Sequence, residues 1–418
     1  MFSPLNVRIG LFLAIRQIKR SSKWTTSLII FVMVLTFLNL VIVSGILVGL
    51  LQGAVDAVKS QYTNDIIISN LTTKPFIEHT HEIEALIKSL PQVDKYAIRY
   101  LSGASFEANY KQRTNLTEKA NIASANVAGI DPVAEDELTN LSKYVIEGEY
   151  LEPGDYDKIL LGSYLDHDYL PIESPGFTTL YNVGPGTKIR MTTNGVTREV
   201  TIKGIVKTKV DEVSFRVYMP QDQLRTMIGR EDGNASEISI KLKPDADPAV
   251  VRDIIKNSGF DKYARVQTYI DAQPKFIKDM IETFSLLGNM MSSIGLVVAS
   301  ITIFIVIFIN ALTRRKFIGI LKGIGITGES IEISYILQSI FYAVCGSVIG
   351  LIIVYALLEP GLRAHPIDFP FSDGILVANV PETLFRMFLL VVTTVIAGYI
   401  PARMIVRKNT LDSILGRK

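Results

Sequence analysis

The chain has 418 residues, 43 of them basic and 41 acidic, for a formal charge of +2. That balance excludes a protein built to bind nucleic acid or another polyanion, which needs a marked cationic excess. The single cysteine, Cys345, excludes a disulfide framework and a cysteine-based metal site.

Residues 1–23 place Leu5, Ile9, Phe12, Leu13, Ile15 and Ile18 among Arg8, Arg16, Lys19, Arg20 and Lys23, with no acid. This predicts an amphipathic helix along a membrane face. An uncharged run follows from Trp24 to Val55. It exceeds the roughly 20 apolar residues that span a bilayer core, and is too long for the apolar part of a signal peptide. It predicts a transmembrane helix over 24–51, continued outward by Leu51 to Lys59. Gly45 and Gly49, four apart within it, allow a close helix approach.

The polar insert 52–282 is large enough for one domain or two small ones. Ile66 to Ile68 reads as a strand. Ile83, Leu86, Ile87 and Leu90 recur at helical spacing before Pro91. The same unit returns near the end, with Ile238, Ile240 and Leu242 alternating as a strand and Pro248 to Asn257 reading as a helix closed by Gly259. Between them, Lys188 to Met219 is rich in short β segments and turns at Asn194-Gly195, a strong hairpin signal. The expectation is an α+β domain with a small β-rich subdomain at about 162–224. Glu78, His79, His81 and Glu82, and His167 between Asp166 and Asp168, read as an acidic helix start and an exposed turn rather than metal sites. Phe76, Phe177 and Phe215 are the aromatic candidates for a cargo surface, with core packing as the competing role.

Pro274 to Phe284 is helix-compatible and leads into a second uncharged run. Thr283–Thr313, Ile333–Leu358 and Met387–Ala402 predict transmembrane helices over 283–313, 333–358 and 385–405. The last is short, so Arg386 and Arg403 are expected to reach toward the headgroups. Gly346 and Gly350 repeat the four-residue spacing. The loop 314–332 carries Arg314, Arg315, Lys316 and Lys322, and the tail 406–418 carries Arg407, Lys408, Arg417 and Lys418. The loop 359–384 instead holds Glu359, Asp368, Asp373 and Glu382 against Arg363. Cations in short loops mark the cytoplasmic side, so both termini belong inside and the insert outside. The fold class is therefore a membrane protein with four transmembrane helices in a 1 + 3 arrangement and a large extracytoplasmic α+β domain after the first.

Within 314–332, Ile318, Leu321 and Ile324 are expected to share one face of a short helix that docks on a partner. Gly319, Gly323 and Gly325 follow no strand and precede no Gly-Lys-Ser/Thr, so they do not form a phosphate loop. No nucleophile turn of hydrolase type is present in the sequence.

The run from Thr313 to Gly325, with Tyr335 and Gln338 after it, resembles the cytoplasmic loop of FtsX-like permeases, the membrane subunits of MacB/LolCDE-type (type VII) ABC transporters. Leu13 to Arg20 resembles that family's entry into its first span. Val127-Ala128-Gly129-Ile130-Asp131-Pro132, Glu147 to Leu151 and Leu160-Leu161-Gly162 resemble its outer domain. The resemblance implies a non-enzymatic subunit of the plasma (inner) membrane with no cofactor of its own. It also implies a separate P-loop ATPase dimer that binds ATP and Mg, and a second permease subunit, identical or related. Membrane lipids and an extracytoplasmic adaptor or cargo complete the expected partners. Arg314, Arg315, Lys316, Phe317, Ile318, Gly319, Leu321, Lys322, Ile324 and Gly325 would form the ATPase-coupling element. Two functions follow from the family: extraction or export of a lipoprotein, peptide or amphiphile by mechanotransmission, or mechanical control of an outer partner such as a cell-wall hydrolase.

Overall fold

A computed structural model describes residues 4–111, 120–171, 178–273, 275–365, 376 and 378–407. Phe177, Pro274, Asp368, Asp373, Lys408, Arg417 and Lys418 lie outside the described residues. The chain forms two compact units, one of residues up to Gln52 and from Lys278 onward, the other of Gly53–Ile277.

Helices α1 (Pro4–Arg20) and α2 (Lys23–Val58) come first, then β1 (Ile66–Asn70), α3 (Thr80–Ser89), β2 (Val93–Ala108), β3 (Asn121–Ile130) and α4 (Pro132–Thr139). The chain continues through β4 (Val145–Gly148), β5 (Lys158–Gly162), β6 (Lys188–Thr193), β7 (Val196–Val206), α5 (Asp211–Ser214), β8 (Val217–Pro220) and α6 (Gln221–Ile228). Next are β9 (Glu237–Leu242), α7 (Pro248–Asn257) and β10 (Ala264–Thr268). Helices α8 (Lys275–Thr313), α9 (Arg315–Gly323), α10 (Gly328–Ile352), α11 (Glu359–Ala364) and α12 (Val380–Val406) complete the described chain.

Local chemistry sets many of these boundaries. Asp131 caps α4 by accepting from the amides of Val133 and Ala134, and Asp247 caps α7 by accepting from Ala249; each is followed by a proline in the first turn. Asn194 and Gly195 both have positive φ and close the two-residue turn that sets Thr193 of β6 opposite Val196 of β7.

Strands of the second unit run in the order β10-β1-β9-β2-β3-β8-β5-β7-β4, with β6 pairing β2 and β7. The first four pair antiparallel. With α3 between β1 and β2 and α7 between β9 and β10, they form a ferredoxin-like βαββαβ unit. Its core packs Ile66, Ile68, Ile238 and Ile240 against Ile83 and Ile87 of α3 and Val251 and Ile255 of α7. Strand β2 then crosses into a second layer. Its first half, Val93–Arg99, pairs with β9, and its second, Tyr100–Ala108, pairs with β3. The β-rich part is therefore wider than 162–224, because β2 and β3 belong to the same ladder as β5 to β8 and share a core of Phe106, Val127, Leu161, Ile189, Ile202 and Val217. Local turn density marks only the middle of that ladder.

In the first unit, four helices among the described residues are long and apolar enough to cross a membrane, in spans beginning at Lys23, Lys278, Gly328 and Val380. Met33, Phe37, Val41, Tyr335, Tyr342 and Leu390 pack at their centre. Gly346 and Gly350 lie against α2, where a Cβ would overlap Met33 and Phe37 respectively. Gly45 and Gly49 are buried on α2. Arg386 departs from expectation. Instead of extending to the headgroups it turns inward, its Nη1 donating to the carbonyl of Leu40 at 3.2 Å and its Nη2 to the Ser44 hydroxyl. A guanidinium nearly two turns inside a span finds its nearest oxygens on the neighbouring helix.

Candidate functional site

Helix α9 carries the basic residues and apolar face singled out in the sequence. Its two sides are used differently. Ile318 and Leu321, 3% and 7% exposed, join the core of the first unit beside Leu13, Ile331, Tyr335, Ile405 and Val406. Phe317, Ile320 and Ile324 are 50%, 52% and 71% exposed. The expected shared face of Ile318, Leu321 and Ile324 is thus corrected: Ile324, the residue that follows α9, turns outward with Phe317 and Ile320, on a stripe about 100° round the helix from that of 318 and 321. Gly319 is buried with the inward stripe, and Lys316 is exposed with the outward one.

The end of α9 is fixed by backbone chemistry. The amide of Gly325 bonds the Lys322 carbonyl at 3.1 Å and that of Ile326 bonds Leu321 at 3.0 Å, with Gly325 at φ +96°. This is the Schellman arrangement, for which glycine is favoured. Lys322 Nζ donates to the Val406 carbonyl at 2.9 Å, tying α9 to the last turn of α12. Arg314 occupies the N-cap position and Arg315 opens the helix.

Beside α9, α1 is locked onto α10 by a face that hydrophobic patterning does not reveal. Asn6 donates to Glu329 at 2.8 Å and accepts from Thr327 and Ser330 at 3.1 and 3.2 Å. Gln338 donates to Gln17 at 2.7 Å. A Cβ on Gly10 would lie 2.6 Å from Ile333. The buried stripe of α1 is Asn6, Gly10, Leu13, Ala14 and Gln17, whereas Leu5, Leu11, Phe12 and Ile15 are exposed. The readable signal was small and polar residues at helical spacing, a packing mode suited to helices in lipid.

The second unit contains a buried charge cluster. It gathers after α2, where Lys59–Thr63 forms a π-turn, a feature frequent at functional positions. Arg99 Nε and Nη2 bond both oxygens of Glu135 at 2.8 and 2.7 Å, and its Nη1 bonds the Tyr62 carbonyl at 3.0 Å. Arg216 meets both oxygens of Glu237 at 3.1 Å and reaches Glu212 at 2.7 Å. The Tyr62 hydroxyl donates to Glu237 at 2.7 Å while accepting from Arg216 at 3.0 Å. Burial alone would raise the Glu237 carboxyl, but the attraction of Arg216 and Arg99 outweighs it and holds the group at about 2. Burial keeps the proton on Tyr62 far above the ordinary phenol range. Gln61 adds bonds to Tyr144 and the Lys209 amide, and Asn64 one to Ser239. The segment after α2 is thereby fastened to β2, β8 and β9. These residues are scattered over the sequence, so no local pattern announces them.

Elsewhere in the second unit, His79 bonds Glu82 at 2.9 Å and packs at a tilt against Tyr263, and His167 bonds Thr179 and packs at a tilt against Tyr181. Phe76 lies under Arg230, and Phe215 packs edge-on against Tyr164.

The family description "MacB-like periplasmic core domain" matches residues 26–258, and "FtsX-like permease C-terminal" matches residues 289–410. The chain belongs to this permease family. Macrolide export ATP-binding/permease protein MacB 1 of Yersinia pseudotuberculosis is 24% identical to the permease over 227 residues, which are 51% of this chain and 33% of that protein. An uncharacterized ABC transporter permease of Methanocaldococcus jannaschii is 24% identical over 279 residues, 65% of each. The crystal structure of the periplasmic region of MacB from Actinobacillus actinomycetemcomitans covers 55% of the permease and 97% of that chain, with 16% identity and a TM-score of 0.37. The permease spans about a third of the length of the MacB relatives it matches. Its Val127–Pro132 segment is the end of β3 with the cap of α4, where Gly129 lets α6 approach: a Cβ there would be 3.0 Å from Leu224.

Proposed function

We propose that this permease relays ATP-driven motion of a separate cytoplasmic P-loop ATPase dimer to its extracytoplasmic domain, and so extracts or exports a lipoprotein, peptide or small amphiphile. It would work beside a second permease subunit, in the plasma membrane, with both termini in the cytoplasm. ATP and Mg would be held by the partner ATPase. The observation that carries this reading is α9: Ile318 and Leu321 root it in the bundle while Phe317, Ile320 and Ile324 stand exposed beside Arg314, Arg315 and Lys316. An apolar stripe on a short, rooted, basic helix suits the groove of a protein partner. The fastened segment after α2 supports the outward half of the relay, since a helix end held by several bonds passes on a displacement with little loss.

The test is purification of the permease from its native membrane in mild detergent, with identification of bound proteins. A P-loop ATPase is expected with the unchanged chain, and its recovery should fall at least tenfold for Phe317→Asp and Ile320→Asp. Ile318→Asp should instead lower the melting temperature of the permease itself. Equal ATPase recovery by all three variants, or none by the parent under conditions that preserve known complexes, would remove the coupling role. Cargo retained by the complex would favour transport, and a bound cell-wall hydrolase the regulator reading.

A further inference from the structure

We propose that the first unit binds the acidic group of an amphiphile at Arg386, in a cavity between α2, α8 and α12. This deepens the transport reading by naming a substrate chemistry, but binding itself requires no ATPase. A charged side chain within a span is costly and calls for a partner. Arg386 is 16% exposed and nearly two turns inside α12. A guanidinium has five N–H donors. Here one goes to the Leu40 carbonyl and another to the Ser44 hydroxyl, and Glu382 lies 3.7 Å away. Glu382 is half exposed and Arg386 is not, so the cation is the inner charge and the acid the outer one.

Arg386 opens on a cavity of about 620 Å³, within the range of small-molecule sites. Across it α8 presents a polar row, including Asn289, Ser292 and Ser293. The Ser292 hydroxyl is buried and has no hydrogen-bond partner among the described residues, an expensive state that a ligand oxygen would relieve. Val48, Leu296, Phe385 and Leu389 give the wall an apolar part, and Glu382 lines it on the outer side of Arg386. Close approach of α8 to α2 is set by Gly288, whose Cβ would stand 3.5 Å from Ser44, and by Gly295, whose Cβ would stand 3.0 Å from Asn39. A cation, an unpartnered hydroxyl and an apolar wall together fit a phosphate or carboxylate on an apolar tail. The guanidinium fork matches either acid with paired hydrogen bonds.

The experiment places the full-length permease in phosphatidylcholine nanodiscs without nucleotide and measures displacement of a pyrene-labelled phosphatidylglycerol. Unlabelled phosphatidylglycerol and palmitate serve as separate competitors, to distinguish a phosphate from a carboxylate source. Saturable binding is expected, weakened at least tenfold by Arg386→Gln and kept within about threefold by Arg386→Lys. Ser293→Leu, which narrows the cavity and leaves the bonds of Arg386 in place, should also weaken it; it decides the matter if Arg386→Gln does not fold. Arg403→Gln, at the other end of α12, should have no effect. Unsaturable binding, or equal losses for Arg403→Gln and Arg386→Gln, would overturn the site. Binding intact in a protein that recruits no ATPase would leave this site standing while the coupling reading fell.

Discussion

The two units solve the problem of buried polar groups in opposite ways. In the Gly53–Ile277 unit, Arg99, Glu135, Arg216 and Glu237 are nearly inaccessible, and each charge meets an opposite one in paired hydrogen bonds. In the membrane-type unit no such cluster of matched charges is seen among the described residues, and the buried bond from Gln338 to Gln17 is neutral and single. There the side-chain oxygens of Tyr335, Ser347 and Thr394 are buried without a partner among the described residues. A matched charge cluster has one good geometry and a steep cost for leaving it. Small-residue contacts and single neutral bonds between helices cost much less to exchange. Exchange is therefore cheap at a contact such as Gln17–Gln338 and costly at the charge cluster around Tyr62.

Arg216→Ala should have the largest effect on the charge cluster. It leaves Glu237 buried with two of its three hydrogen bonds gone and should cost about 3–5 kcal/mol, read as a fall in the thermal unfolding midpoint of the full chain in detergent. Replacing both partners of the other pair, Arg99→Met with Glu135→Leu, should cost far less than either single change, since no charge is stranded. A loss under about 1 kcal/mol for Arg216→Ala would mean that the cluster is not what holds this domain.

Acid provides the next largest effect. The Glu237 carboxyl is held at about 2 in the folded state, below its value in an unfolded chain, so its stabilisation is present above about pH 4.5 and lost as pH falls toward 2. Asp155 adds to the same window. Burial would raise it, but the Glu152 amide, Lys158 and Lys203 bring it down to about 2. The expected fall is about 3 kcal/mol for Glu237 alone between pH 5 and 2, followed by β-sheet circular dichroism in urea. Stability unchanged down to pH 3 would contradict the assignment.

Gly350→Leu tests the other side of the comparison. Its Cβ would run into Phe37, and overpacking of this kind costs about 1–3 kcal/mol. Gly323→Ala, where nothing lies within 4 Å, is the matched control. Protease protection of the helical core should fall for the first and hold for the second.

How legible each region was follows from how local its determinants are. The helix Pro248–Asn257 could be read in full because an Asp-Pro cap and a glycine stop bracket it, and the β6–β7 hairpin because Asn-Gly dictates its turn. The reach of β2 across both halves of the domain could not, since a 16-residue strand has no internal mark where one partner gives way to the next. On α9 and α1 the apolar residues were visible but their direction was not. Near a membrane, lipid and protein interior attract the same side chains, so periodicity finds a stripe without saying which neighbour it faces. Arg386 failed for a related reason: a cation near a span end reaches headgroups or a neighbouring helix with equal ease, and only the position of Ser44 decides.

The smallest effect sharpens the comparison most, because it concerns the bond that the bundle can best do without. Gln17 and Gln338 join α1 to α10 through a single 2.7 Å contact in a buried setting. Were it to behave like the charge pairs of the other unit, removing one partner would cost several kcal/mol. Interhelical bonds in membrane proteins average about 0.6 kcal/mol in double-mutant cycles, because the separated helices find other partners. The cycle of Gln17→Leu, Gln338→Leu and the double variant should therefore give a coupling of about 0.6 kcal/mol, measured from unfolding midpoints in detergent. Gln338 also donates to the Ser334 carbonyl at 3.1 Å, which offers its amide a fallback when Gln17 is gone and keeps the coupling small. A coupling above about 2 kcal/mol would place this contact in the same class as Arg216–Glu237. Such a value would show that a single neutral bond between helices can be as costly to lose as a charge pair.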